Sequence, residues 1–159
     1  MRILFDPSPP RHALDEAIRG YWPALYTLTP NEEEASELTG ATIESEGDAV
    51  RVARRLRESG IPLVCIKLSD GGCIAATNGG ALLVRVPKVE PVDTTGAGDA
   101  FSGALTVALA EARPVEAALR FATAAANITV TRWGSQPALP TRDEIDSLAS
   151  RLTVETIDE

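Results

Sequence analysis

The sequence predicts an α/β fold: a mostly parallel sheet flanked by helices, with an antiparallel hairpin at one edge. Two observations predict it. Short apolar runs alternate with helical patterns over residues 2–67, which is the order that a parallel sheet requires. Two further apolar runs then flank the Asn78-Gly79 pair, which is typical of a hairpin turn, and three helical segments follow.

The first half of the chain predicts three strands and three helices. Pro7 and Pro30 follow two of the strands and stop them, while Gly40 and Gly60 end two of the helices. The last strand is apolar almost throughout, as in a strand buried on both faces. In order, the six elements are predicted over residues 2–5, 12–19, 24–28, 31–38, 45–60 and 62–67.

The second half predicts two hairpin strands and then three helices, over residues 73–76, 81–86, 99–112, 114–131 and 141–152. One domain over residues 1–152 accounts for all the elements. A chain of 159 residues with 44% hydrophobic and 24% charged residues suffices for one packed core. The acidic segment 153–159 is predicted to be a fraying tail.

Composition and charge exclude several kinds of partner. The formal net charge of −8 predicts no basic face for nucleic acid or an anionic membrane, but it permits ATP, which backbone amides and a metal ion can hold. No apolar run approaches the roughly 18 residues of a membrane span, and we expect a cytoplasmic protein. Cys65 and Cys73 have no cysteine or histidine neighbours at metal spacing, which predicts buried, reduced thiols.

The stretch Asp93-Thr-Thr-Gly-Ala-Gly-Asp-Ala-Phe101 has the composition of an anion-binding turn. Gly96, Ala97 and Gly98 lie where a helix begins. The first amides of a helix lack acceptors within it, and glycine lets a backbone approach a ligand closely. Asp99 then has two interpretations: its carboxylate caps the helix, or it takes a proton from a substrate hydroxyl beside the anion site.

This nine-residue string resembles a signature of the PfkB family of carbohydrate kinases. The resemblance implies a ribokinase-like, three-layer, doubly wound sheet and an enzyme that transfers a phosphoryl group from ATP to a sugar hydroxyl. It also implies that the turn at 96–98 stabilises the charge of the transferring group and that Asp99 is the general base.

The stretch Pro30-Asn31-Glu32-Glu33-Glu34 resembles a second signature of the family. Asn31 and Glu34 lie three residues apart in the first turn of a helix and therefore share a face. Acidic residues there also complement the helix dipole, which is the simpler interpretation. The resemblance implies that Asn31 and Glu34 organise Mg²⁺ and its waters beside the ATP phosphates, and the two interpretations are compatible.

Two further segments resemble nucleotide-binding parts of the family. The resemblance places Lys67, Ser69 and Gly72 along the nucleotide and Thr123 near the adenine. Without it, the first segment is a glycine-rich turn and the second is a helix of small residues. Many members have glycine where this chain has Ser69, so a different turn shape is expected here.

The resemblance also implies a monovalent cation, potassium in this family, bound chiefly by backbone carbonyls. The matching positions are Asp93, Thr95, Thr129, Arg132 and Gly134. Ala138 stands where the ribokinase branch often has serine, and this removes one hydroxyl ligand. Trp22 and Trp133 are assigned to packing, as isolated aromatic residues usually are.

The resemblance runs over residues 2–152 but corresponds to the C-terminal half of a family member. The half that supplies the sugar site and its lid, with its own Gly-Gly signature, is not matched. Three hypotheses follow: the ATP-binding and catalytic-base half of a sugar kinase, a non-catalytic nucleotide-binding module or partner subunit, and an inactive remnant. The expected partners are ATP or ADP, and a sugar substrate if a complementing half is present.

Residues 2–5 match a strand that lies inside the sheet of a complete family member. In this chain we expect it to be an unpaired edge. Open backbone groups and uncovered apolar surface recruit other strands, so we expect a homo-oligomer.

Overall fold

The structure is a computed structural model that describes residues 1–10 and 16–157. Its strands are β1 Leu4–Phe5, β2 Thr27–Leu28, β3 Leu63–Lys67, β4 Cys73–Thr77, β5 Gly80–Arg85 and β6 Thr153–Ile157. Its helices are α1 Glu16–Arg19, α2 Glu32–Thr39, α3 Glu46–Arg57, α4 Ala97–Ala110, α5 Val115–Thr129 and α6 Arg142–Ala149. Short 3₁₀ turns lie at Trp22–Ala24 and Gln136–Ala138.

The strands form one mixed sheet in the order β1-β2-β3-β4-β5-β6. β1, β2 and β3 are parallel, with Leu4 opposite Thr27 and Thr27 opposite Leu63. Only Asn78 and Gly79 join β4 to β5, and so short a connection makes this pair antiparallel. The predicted α/β class and its hairpin are confirmed, and β6 continues the sheet beyond the hairpin.

The described chain divides into two compact units. The first contains the residues up to Ser69 together with 74–83 and those from Thr156 onward, and the second contains 70–73 and 84–155. Strands β4, β5 and β6 therefore contribute residues to both units. The single domain expected over residues 1–152 remains a prediction.

In the first unit, α2 and α3 pack against each other and against β3. Strand β3 is buried except at Lys67, as its apolar sequence predicts. Helix α3 begins after Ser45, whose hydroxyl accepts the N–H of Asp48 at 3.2 Å, and three arginines in its last turn complement the helix dipole. Its buried face joins Leu28 and Trp22 in one apolar core.

In the second unit, α5 packs against both α4 and α6. Two guanidinium groups contact the ring of Phe121 of α5, with Arg113 at 4.4 Å and Arg142 at 5.6 Å from the ring centroid. Glu111 pairs with both arginines, at 3.0 Å and 2.6 Å. This network connects the end of α4 to α5 and to the first residue of α6.

The remaining expectations concern the first predicted helix, the C-terminal segment, the two cysteines and membrane crossing. Residues 11–15, with His12 and the start of the helix predicted over 12–19, lie outside the described residues. The segment expected to fray forms β6, whose Thr-Val-Glu-Thr-Ile sequence is rich in the β-branched residues that favour strands. Cys65 and Cys73 are buried and are not joined in a disulfide, as predicted. Among the described residues, no helix combines the length and apolar character needed to cross a membrane.

Candidate functional site

Gly96 is the N-cap residue directly before α4; it has no side chain to cap the first turn and has φ +80°. The N–H of Ala100 donates to Gly96 O at 2.8 Å, whereas the N–H groups of Gly98 and Asp99 find no acceptor among the described residues. Helices α2 and α6 differ, because capping boxes close their first turns. The start of α4 therefore presents free donors at the positive end of a helix dipole, which is the arrangement that binds anions.

The Asp99 carboxylate belongs to this helix start but does not cap it. Asp99 is exposed, and its carboxylate accepts no hydrogen bond from another described residue. The side chain borders a cavity of about 290 Å³ along α4, whose lining includes Ala104, Val107 and Phe121. Asp99 therefore has no capping role among the described residues, and its carboxylate is exposed.

Asp93 ties the turn before α4 to the segment after α5. Its Oδ1 accepts the N–H of Thr95 at 2.9 Å, and its Oδ2 accepts the N–H of Gly134 at 3.0 Å. Hydrogen bonds from the N–H and hydroxyl of Thr95, and then from Gly134, lower the pKa of the Asp93 carboxyl. The Asp93 carboxylate therefore fixes the turn before α4 relative to the segment at Gly134.

Gly96 lies against the same segment. A Cβ at Gly96 would lie 3.1 Å from Cβ of Ser135, closer than side chains normally approach, and its positive φ adds strain for any other residue. The sequence of the turn is therefore restricted at this glycine by its packing as well as by its conformation.

The side chains at the predicted monovalent-cation positions are used elsewhere. Thr129 is fully buried and its hydroxyl donates to Ala125 O at 2.8 Å, and the Arg132 guanidinium pairs with Glu144. Within the described residues, no group of three or more histidine, cysteine or acidic side chains could hold a metal ion. The family resemblance implies that a cation here would be bound chiefly by backbone carbonyls of these segments.

A second group of polar residues lies in the first unit, at the carboxyl ends of the parallel strands. Lys67 Nζ is 2.9 Å from Asp6 Oδ2, and these side chains are only 16% and 22% exposed. Asn31 and Lys67 form a parallel backbone bridge, in which the N–H of Lys67 donates to Pro30 O at 2.9 Å. Ligands of α/β proteins bind at this edge of the sheet. Sequence reasoning misses Asp6, although an acidic residue directly after an apolar strand is the signal.

Asn31 and Glu34 form a reciprocal capping box at the start of α2. Asn31 Oδ1 accepts the N–H of Glu34, and Glu34 Oε2 accepts the N–H of Asn31, both at 2.8 Å. This capping box stabilises the start of α2. The other Glu34 oxygen and the Asn31 amide nitrogen make no hydrogen bond to a described residue, and Glu34 is 7% exposed.

The turn after β3 is held by the first residue of α2. The N–H of Ser69 donates to Glu32 Oε2 at 2.9 Å. Ser69 does not adopt a positive φ, since Ala112 is the described non-glycine residue that does. A serine therefore fits at this position without strain, although many family members have glycine there.

Thr123 and Asn127 lie one turn apart on α5. Thr123 is 1% exposed, and its hydroxyl finds no partner among the described residues. Asn127 Nδ2 donates to Gly71 O at 2.8 Å and to Thr123 O at 3.2 Å. Sequence reasoning misses Asn127, and the signal is an amide within an alanine-rich helix, where asparagine is unfavourable.

The two tryptophans have different environments. Trp22 is 5% exposed and belongs to the core of the first unit, as predicted. Trp133 is 77% exposed, so its assignment to packing is wrong. It directly precedes Gly134, which has φ +85°, in the turn after α5.

Comparison with known proteins identifies the family that this chain matches. Residues 1–142 match the family described as pfkB family carbohydrate kinase. The ribokinase of Bacillus subtilis is 41% identical over 150 residues, covering 93% of this chain and 46% of that protein.

Two solved structures are similar in fold and sequence. A ribokinase from Thermotoga maritima superposes with a TM-score of 0.79 at 36% identity, covering 94% of this chain and 49% of the other. The Arabidopsis thaliana ribokinase complexed with ribose and ATP gives a TM-score of 0.71 at 32% identity, covering 82% and 43%. The chain spans about half the length of the relatives it matches. Since the match covers most of its own length, the chain belongs to the pfkB family of carbohydrate kinases.

Proposed function

We propose that this chain carries the ATP-binding and catalytic-base half of an ATP-dependent sugar kinase. The observation that carries the proposal is the start of α4, where unbonded amides of Gly98 and Asp99 adjoin a carboxylate that caps nothing. Family membership supports a role for each feature. A kinase needs hydrogen-bond donors for the phosphoryl group, which the amides can supply, and a base for the acceptor hydroxyl, which the carboxylate can supply.

In the proposed reaction, Asp99 accepts the proton of a sugar hydroxyl. The hydroxyl oxygen forms a bond to the γ-phosphorus of ATP, and the bond from that phosphorus to the β,γ-bridging oxygen breaks, which leaves ADP. We assign the turn at Gly96, Ala97 and Gly98 to the stabilisation of negative charge on the transferring group; the N–H of Gly98 has no acceptor among the described residues, whereas that of Ala97 already donates to Thr94 O at 3.2 Å. The ribose and ATP in the Arabidopsis thaliana relative support these two substrate classes.

In the first unit, we assign Asn31, Glu34 and Lys67 to the phosphates and to Mg²⁺. The free Glu34 oxygen can accept a hydrogen bond from a water on the ion, and the Asn31 amide nitrogen and Lys67 ammonium can donate to phosphate oxygens. When bound, Mg²⁺ neutralises phosphate charge. We also assign Ser69 to the nucleotide.

In the second unit, we assign Gly72 and the helix turn at Thr123 to the nucleotide. The buried Thr123 side chain would act through the shape of this turn, because it offers almost no surface to a ligand. Carbonyls near Thr129 and Gly134, positioned by the bond of Gly134 to Asp93, are the proposed ligands of a potassium ion.

Titration calorimetry with Mg-ATP and Mg-ADP tests the proposal. We expect saturable binding of both nucleotides, with Asp99→Asn binding them as the native chain does, because Asp99 acts on the acceptor hydroxyl. Absence of heat up to millimolar nucleotide would overturn the proposal. Assays with a panel of sugars, with and without a sugar-binding half supplied as a second polypeptide, separate a kinase half from a non-catalytic nucleotide-binding module.

A further inference from the structure

A buried asparagine connects helix α5 to the turn that follows β3. Asn127 is 4% exposed, and its Nδ2 donates to Gly71 O at 2.8 Å across 56 residues of sequence and to Thr123 O at 3.2 Å. A buried amide group is costly unless it is hydrogen-bonded, and asparagine is a poor helix former. The two bonds therefore account for an amide among the alanines of this helix.

The turn itself fits closely against this amide. Gly71 has φ +91°, and a Cβ on it would lie 3.1 Å from both Nδ2 and Oδ1 of Asn127 and 3.3 Å from Val86. Asp70 Oδ1 accepts the N–H of Gly72 at 2.8 Å. The turn is thus fixed internally by Asp70 and externally by Asn127.

Both bonds of Asn127 adjoin positions that the proposed function assigns to the nucleotide. Gly71 directly precedes Gly72, and the second acceptor is the carbonyl of Thr123 itself. One buried amide therefore sets the position of the turn relative to the helix turn at Thr123. A residue that fixes a binding surface in place favours binding, because the surface then loses less conformational entropy when the ligand binds.

We propose that Asn127 is a positioning residue that holds the turn at 70–72 in place for the nucleoside part of an adenine nucleotide. The inference rests on the proposed function and adds a residue that contacts no ligand. It separates two parts of the ligand: Asn127 affects recognition of the nucleoside, while the amides at the start of α4 serve the phosphates.

The test compares Asn127→Ala with the native chain by calorimetry, using Mg-ADP and inorganic tripolyphosphate with Mg²⁺ as probes. We expect Asn127→Ala to weaken Mg-ADP binding by about tenfold, the typical worth of one buried hydrogen bond, and to change tripolyphosphate binding less than about twofold. Leu119→Val is the matched control, because Leu119 is buried on the same helix and its truncation lowers stability without removing a hydrogen bond to the turn. This control should bind both probes as the native chain does.

Hydrogen exchange of the amides at 70–73 gives a readout that needs no ligand. Asn127→Ala should increase exchange there, and Leu119→Val should not. Gly71→Ala is a second variant that disturbs the same contact from the other side, so the test survives if Asn127→Ala does not fold.

The outcomes distinguish the inference from the proposed function. Native chain that binds Mg-ADP, with Asn127→Ala and Leu119→Val showing the same affinities and the same exchange at 70–73, overturns the inference alone. Native chain that binds neither probe overturns the proposed function and the nucleotide role of Asn127 with it. Selective loss of Mg-ADP affinity in Asn127→Ala, accompanied by faster exchange at 70–73, supports the inference.

Discussion

Lys67 and Asp6 form an ion pair between the last residue of β3 and the residue that follows β1, with 2.9 Å between Nζ and Oδ2. Most of each side chain is removed from water, at 16% and 22% exposure. Removing one partner from a buried pair leaves a charge that is costly to bury. The pair therefore couples the two strand ends that flank β2.

For this pair we predict that Asp6→Asn lowers the free energy of unfolding by about 1–3 kcal/mol, less than for a fully buried pair. The double variant with Lys67→Met should be less destabilised than the sum of the two single variants, because it removes both charges. Urea unfolding of the four proteins in this double-mutant cycle measures the coupling. Additive losses would show that the two side chains do not stabilise each other.

The two carboxylates of the α4 turn should differ in catalysis. When a sugar-binding half complements the chain, Asp99→Asn should lower kcat by about 10² to 10⁴, the usual contribution of a positioned general base. Asp93→Asn should cost less, because Asp93 holds backbone N–H groups and an amide oxygen can replace one of those bonds. Steady-state kinetics of both variants decide the assignment, and a larger loss from Asp93→Asn would contradict it.

Replacement by alanine of two glycines in the α4 region should have opposite effects on stability. Gly96→Ala should destabilise the chain by at least about 1 kcal/mol, because of the positive φ at Gly96 and the nearby Ser135. Gly103→Ala should stabilise it by about 0.5–1 kcal/mol, since a Cβ at Gly103 meets nothing within 4 Å and alanine favours the helix interior. Thermal unfolding of both variants provides the measurement, and equal shifts in Tm would contradict the described turn.

Stability should fall in acid through Glu144. The hydrogen bond from Arg132, followed by those from the N–H and hydroxyl of Thr141, lowers the pKa of Glu144 from 4.5 to about 2. Because the folded pKa is the lower one, the stabilisation is fully present above pH 4.5 and is lost as the pH falls through about 2. Glu144→Gln should therefore flatten the dependence of Tm on pH between about 4.5 and 2, as measured by calorimetry.

The matched control is Glu90→Gln, at an exposed position in the loop before α4. It should retain the acid dependence of the native chain. If Tm depends on pH in the same way in the native chain and in Glu144→Gln, Glu144 does not contribute to the loss of stability in acid.

Within residues 1–10 and 16–157, strand β1 is the first strand of the sheet and pairs with β2 but with no other strand. Ile3, directly before it, is 37% exposed, and the strand residues themselves are half-buried. We predict homo-oligomerisation through this edge. Light scattering should give a mass above that of one chain at micromolar concentration, and Ile3→Lys should reduce it.

Val107→Lys provides a control for the edge, because Val107 is a comparably exposed apolar residue on α4. It should leave the mass unchanged. A native mass of one chain would contradict the prediction.

The helices and central strands were predictable because their signals are local. Apolar residues at helical spacing gave α3, the continuous apolar run gave β3, and the Asn78-Gly79 pair gave the hairpin. The start of α4 was also predictable, since a glycine-rich sequence before a helical segment leaves few other backbone conformations. Strand β6 was not predicted, because the acidic composition of residues 153–159 indicated a fraying tail, although the segment is rich in β-branched residues.

The sequence by itself determined the α/β alternation, the glycine-rich turn before α4 and the placement of Asp99 at the start of a helix. Only the tertiary structure decided what the other polar residues do: that Asp6 pairs with Lys67, that Asn127 holds the turn at Gly71, and that Trp133 is exposed rather than packed. The physical reason is the distance along the chain. The first two contacts join residues 61 and 56 positions apart, and no local propensity or periodicity specifies which distant groups meet once the chain is packed.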